Sequence, residues 1–251
     1  MMRARLPITL APYIFLLSGF SGLVYQVVWA RWLATVFGVT AYAVSMVLAV
    51  FFAGLALGGW LGGNLADRLS RNSQHVRGGA RGLLLYGLAE IGIGLLALLL
   101  PLLAPPLDAA YRAAHTALGS NFAVWTLARL AMMGALLLLP TTLMGATLPL
   151  ILAGYREMGR PLGAGLAWLY ALNTLGAMTG ALVAAVVLIG RLGLRGTTLV
   201  AVGVNLLVGL AALGLSRVKE QIQDSPQRHD TCTARARRSA VRTQRIIQLS
   251  S

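Results

Sequence analysis

Long apolar runs without a single charged residue alternate along the chain with short stretches rich in arginine. Residues 6–30, 32–66, 130–155, 161–190 and 196–216 contain no Asp, Glu, Lys or Arg. Each exceeds the roughly 18–20 residues that a helix needs to cross a bilayer. The pattern predicts six spans, over residues 8–30, 39–61, 82–103, 122–153, 162–189 and 196–215. Glu90 interrupts the third and Arg129 the fourth. The fourth is also too long for one straight crossing, and it holds Pro140 and Pro149, so a kink is expected there. Thr141, Thr142 and Thr147 stand ready to satisfy the carbonyls that the prolines free. The expected fold is an all-α integral membrane bundle of six transmembrane helices over residues 1–215, followed by a polar tail over 216–251.

Composition narrows the class further. Of 251 residues, 57% are hydrophobic and 11% charged, with 29 glycines. A water-soluble domain carries about 25% charged residues. A soluble globular enzyme, a disordered chain and a disulfide scaffold are therefore excluded. The single cysteine, Cys232, lies in the polar tail and has no partner in the chain. His75, His115 and His229 are far apart and none sits at ligand spacing from another, so neither a metal site nor a cofactor is expected. Arg3 and Arg5 precede an apolar run that continues to Ala30 without a small-x-small cleavage site, which reads as an uncleaved first helix.

The 21 basic and 7 acidic residues leave a net charge of +14. An even number of spans puts both termini on one side. That side would carry Arg3, Arg5, Arg68, Arg71, Arg77, Arg81, Arg156 and Arg160, against Arg31, Arg112, Arg191 and Arg195 on the other. The positive-inside rule then predicts a multi-pass plasma (inner) membrane protein with both termini in the cytoplasm. The excess charge reads as topology and contact with anionic lipid, so the lipid bilayer is the expected partner and nucleic acid is not.

Small residues recur at close-packing intervals. Gly54, Gly58 and Gly62 are spaced by four, Gly59 and Gly63 form a second row, and Gly176 with Gly180 repeats the spacing in the fifth span. Such rows let two helix backbones approach closely. They fit tight packing within one bundle, or dimerisation through one of the faces.

A charge within the hydrocarbon region is costly, so Glu90 and Arg129 must find a partner, line a wet cavity or change protonation state. Glu90 lies about nine residues into the third span, with Tyr86 one turn before it on the same face. It fits a transport or proton-linked role, and equally a structural pair. Arg129 lies nearer the outer side, where its long stem can reach the interface. Gln26, Asn173 and Asn205 are neutral partners available to either. The substrate or coupling candidates are Gln26, Glu90, Arg129 and Asn173.

After the second span the chain reads Gly63-Asn-Leu-Ala-Asp67-Arg68-Leu-Ser-Arg71-Asn. This resembles the signature between helices two and three of the major facilitator superfamily, G-x-L-a-D-R-x-G-R-R/K, with Ser70 in place of the second glycine and Asn72 in place of the last basic residue. Asp67 at a helix C-terminus opposes the helix dipole and calls for a neighbouring cation or another helix's N-terminus. Gly63, Asp67, Arg68 and Arg71 are thus candidates for a charge clamp that biases one of two bundle arrangements. A solvated loop with incidental charges fits the same residues.

Three further strings, Ser18-Gly-Phe-Ser-Gly-Leu-Val-Tyr25-Gln26-Val-Val-Trp29-Ala-Arg31, Leu139-Pro140-Thr-Thr-Leu-Met-Gly145-Ala-Thr-Leu-Pro149 and Leu169-Tyr170-Ala-Leu-Asn173-Thr174-Leu-Gly176-Ala, resemble the N-terminal membrane region of fused major facilitator superfamily/spermidine synthase-like proteins. The resemblance spans about residues 10–215. It implies a six-helix unit like half of a major facilitator fold, a connection to polyamines or related amines, and a cytoplasmic spermidine synthase-like domain as companion. That catalytic domain is absent here. After Ser216 the only acids are Glu220, Asp224 and Asp230 and no glycine occurs. A Gly-rich turn and an acid for a nucleoside cofactor are therefore missing, so the chain alone is not expected to be an enzyme. The tail reads as basic, disordered and cytoplasmic, either the product of a truncated or shifted reading frame or a lipid-binding segment.

Two functions follow as expectations. One is a transporter-like module for a small cationic or amphipathic solute such as a polyamine, completed by a homodimer or a second six-helix half. The other is a non-transporting membrane anchor for a spermidine synthase-like domain.

Overall fold

The computed structural model describes residues 6–37, 41–72, 81–118, 122–157 and 162–217, and all of these are helical. Helix α1 spans Leu6–Phe37, α2 Ala41–Asn72, α3 Arg81–Leu118, α4 Phe122–Glu157 and α5 Leu162–Val183. A π-helical turn over Ala184–Leu188 follows. A C-terminal helical limb then runs over residues 189–217. Five helices are long and apolar enough to cross a membrane, with windows Leu10–Ala34, Val47–Leu69, Arg81–Leu103, Gly134–Arg156 and the 53-residue Gly165–Arg217. Phe52, Trp60, Leu102, Val186 and Leu207 project outward from them. In water such a surface would aggregate; in lipid it is the expected outer face. The predicted tail, from residue 218 on, lies outside the described residues.

Helix α3, which already contains Pro101, continues past the predicted end at residue 103, through Pro105 and Pro106 to Leu118. Pro140 and Pro149 both lie inside α4. Thr141 donates to the carbonyls of Leu137 and Leu138, Thr142 to Leu138 and Thr147 to Met144. The carbonyls that the two prolines leave without an N–H are those four residues earlier, on Leu136 and Gly145. The threonines therefore brace the turns beside the gaps and do not fill them.

Small residues set how closely the helices meet. A Cβ on Gly54, Gly58 or Gly62 of α2 would run into Thr141, Thr142, Ala146 or Pro149 of α4, and one on Gly145 into the backbone of Leu55. Gly176 and Gly180 of α5 press in the same way on the Leu16 and Phe20 carbonyls of α1. On α3, Gly82 meets Gly154 of α4, while Gly87 faces Gly209 of the limb. Among the five numbered helices, the most extensive contacts accordingly pair α2 with α4 and α1 with α5, followed by α3 with α4. The Gly54, Gly58 and Gly62 row is spent inside the bundle. A Cβ on Gly63 would meet nothing within 4 Å.

Two apolar clusters fill the interior. One gathers Ala11, Ile14 and Phe15 with Leu83, Tyr86, Leu150, Ile151, Leu169, Val208 and Ala212. The other gathers Val24, Val28 and Trp29 with Ile93, Ala97, Leu100, Leu137, Ala184, Ala201 and Val202. Helices α1 and α3, and α5 with the π-helical turn that follows it, run from the first cluster to the second, whereas α4 and the limb run from the second to the first. Near the start of the limb, Gly193 has φ +67°, the left-handed region that favours glycine. Gly190 has an ordinary φ, and a Cβ at either position would meet nothing within 4 Å. Gly193→Ala should therefore destabilise the bundle by about 1 kcal/mol while Gly190→Ala does not. Denaturant titrations of the two variants in mixed micelles check the difference.

Candidate functional site

A polar layer separates the two apolar clusters. In α1 the sequence passes from Phe15 through Ser18 and Ser21 to Val24; in α3 it passes from Tyr86 through Glu90 to Ile93; in the limb Asn205 falls between Val202 and Val208. The intervals are those of a helix face, three or four residues, so these polar side chains share the inward face with the apolar ones. Ser21 and Glu90 are wholly buried, and Asn205 is 1% exposed.

Glu90 is the centre of this layer. The Ser18 hydroxyl donates to Glu90 Oε1 over 2.5 Å, and the Asn205 amide donates to Oε2 over 2.9 Å. The same amide reaches the Glu90 carbonyl at 3.3 Å. The Tyr86 hydroxyl, one turn earlier on α3, is buried without a hydrogen-bond partner. A cavity of about 110 Å³ opens beside the carboxylate. Its walls come from α1 (Ser18, Ser21, Gly22), α2 (Phe51, Leu55), α3 (Glu90, Ile93), α4 (Met144, Thr147), α5 (Asn173) and the limb (Asn205). Glu90 is the only ionisable residue of this lining.

The sequence candidates divide on inspection. Glu90 and Asn173 share the cavity, with Asn173 anchored by donation to the Phe15 carbonyl over 2.9 Å. Gln26 is half-buried on α1 and is not part of the lining. Arg129 belongs to α4, but its side chain lies outside the described residues, as does that of Arg71. Asp67 and Arg68 are exposed on the last turns of α2, and neither makes an ion pair or hydrogen bond among the described residues. Ser18 and Ser21 were not singled out by sequence reasoning. Their signal was a pair of hydroxyls at helical spacing, each followed by glycine, in an otherwise apolar run.

No protein-family model matches the chain, and neither a curated protein nor a solved structure matches it significantly.

Proposed function

We propose that this chain is a transporter-like membrane module, a six-span bundle like half of a major facilitator, which moves a small cationic or amphipathic solute such as a polyamine. The observation that carries the proposal is the wholly buried Glu90 beside a cavity walled by every helical segment of the bundle. An anchor needs only an apolar exterior. A carboxylate placed in the middle of the hydrocarbon region is expensive, and such groups mark solute or ion pathways.

The six-span count divides the long last run in two. Asn173 and Asn205 line one cavity, although 32 residues on one straight helix would part them by about 48 Å. A reversal near Gly193 accounts for both facts. The pairings also follow an exchange of α1 with α4 and α2 with α5, which turns the α1–α5 contact into the α4–α2 contact. Facilitator halves are built from such three-plus-three inverted repeats, with the solute site between them. Both termini are assigned to the cytoplasm of a plasma (inner) membrane, on the side where Arg68, Arg81 and Arg156 are exposed. A second six-helix half, from another copy or another chain, would complete the transport unit.

Uptake of radiolabelled putrescine and spermidine into proteoliposomes tests the proposal. The intact chain should give saturable uptake, and Glu90→Gln should abolish it while still folding and inserting. Uptake indistinguishable from protein-free liposomes, in a preparation that is folded and inserted, would favour the anchor.

A further inference from the structure

Among the residues that line the Glu90 cavity the hydroxyl hydrogens are committed and the lone pairs are not; the one uncommitted O–H beside Glu90, that of Tyr86, lies behind the lining. Ser18 places its only O–H on Glu90, Ser21 on the Ser18 carbonyl, and Thr147 on the Met144 carbonyl. Asn205 directs its amide group to Glu90 Oε2 and to the Glu90 carbonyl, and Asn173 commits an N–H to Phe15. The backbone N–H groups of the walls are engaged within their helices. What is left is a set of acceptors: the carboxylate oxygens of Glu90, three hydroxyl oxygens and two amide oxygens. One of these, Asn205 Oδ1, is buried and has no hydrogen-bond partner. Turning the amide over would relieve it only with a protonated Glu90, because Oδ1 would otherwise oppose the carboxylate.

A cavity with one ionisable acid, spent donors and free acceptors suits a guest that is positively charged and donates only. We infer that the Glu90 cavity is the seat of a protonated primary ammonium group, held by Glu90 and Asn205 Oδ1 with hydroxyl oxygens around it. An alkylammonium has three N–H donors and no acceptor, as the lysine head group does. By the measure in which one water needs about 10–15 Å³, 110 Å³ is room for roughly 7–11 water-sized groups, enough for an ammonium head group and a short alkyl chain. A single carboxylate is too little charge for a dehydrated divalent ion. This inference rests on the transporter reading for its biological sense, but the site is defined by binding alone.

The test is equilibrium binding of radiolabelled methylammonium to the purified full chain in nanodiscs, at constant ionic strength. Saturable binding is expected, with a rise in the unfolding midpoint of roughly 5–10 °C at about 100 times Kd. Glu90→Gln should weaken binding at least ~30-fold. Gly22→Val gives an independent check, because Gly22 lines the cavity, a Cβ there meets nothing within 4 Å, and the substitution removes no partner of Glu90. It too should abolish binding. Tetramethylammonium, with the charge but no N–H, should neither compete nor stabilise, and sodium should do neither. Competition by either of them, binding retained in both variants, or no saturable binding would overturn the inference. Binding without flux would leave the site standing and remove the transporter reading; flux of another solute without amine binding would do the reverse.

Discussion

Gly58→Ala should be among the most damaging single-methyl additions in the chain. Its new Cβ would land on the Thr142 carbonyl and the Ala146 backbone of α4. Neither is the free end of a side chain, so relief requires α2 and α4 to separate. Overpacking of this kind costs about 1–3 kcal/mol, occasionally more. The loss is compounded because close approach is what holds helices together where lipid supplies no hydrophobic drive. Gly176→Ala should behave alike, since its Cβ would strike the Leu16 carbonyl of α1. The two sites lie on different helix pairs, so the double variant should lose close to the sum. Gly63→Ala, with open space around it, is the control. Unfolding in a denaturing-detergent titration checks all four. An unperturbed Gly58→Ala midpoint would show that the α2–α4 contact is looser than described.

The second large effect is expected at Glu90, and the two obvious substitutions should part company. Glu90→Leu leaves the buried Ser18 hydroxyl without its acceptor and leaves the Asn205 amide only its longer reach to the residue-90 carbonyl. Each stranded group costs about 1–3 kcal/mol, so Glu90→Leu should lower stability by several kcal/mol and reduce the yield of inserted protein. Glu90→Gln keeps an acceptor for Ser18 and removes the charge. Its stability should stay within about 1 kcal/mol of the parent, while amine binding and uptake disappear. Thermal unfolding of the purified variants, read beside methylammonium binding, separates stability from function. If Glu90→Leu equals the parent in both, the carboxylate is neither a ligand nor a needed structural partner.

Hydropathy made the membrane class and the approximate helix positions legible, because an uncharged stretch longer than a bilayer crossing has few alternatives. Glu90 stood out for the same reason. Its partners were less legible. Asn205 was one of several neutral residues at plausible depth, and Ser18 was hidden among small residues. Which of them meets Glu90 depends on the rotation of α1 and the limb about their axes, and that is set by glycine contacts between helices far apart in sequence. Gly176 against Leu16 and Gly87 against Gly209 fix those rotations. Gln26, equally polar on paper, falls outside the cavity lining. The left-handed Gly193 carries no sequence mark that separates it from Gly190 three residues before. The facilitator-like signature at Gly63, Asp67, Arg68 and Arg71 remains a proposal about conformational bias, with Asp67 and Arg68 exposed on the surface of the bundle.

Alternating access to the Glu90 cavity is the most direct test of transport, because it needs no knowledge of the solute. In a chain lacking Cys232, a single cysteine at Gly22 can be probed with a membrane-impermeant thiol reagent in right-side-out and inside-out vesicles. Cysteines at Ser70 and Thr116 serve as markers of the two sides and should each label from one side only, opposite to one another. The Gly22→Cys variant should label from both. Labelling at Gly22 from one side alone, or from neither, with the markers behaving as stated, would contradict a transport role for this cavity.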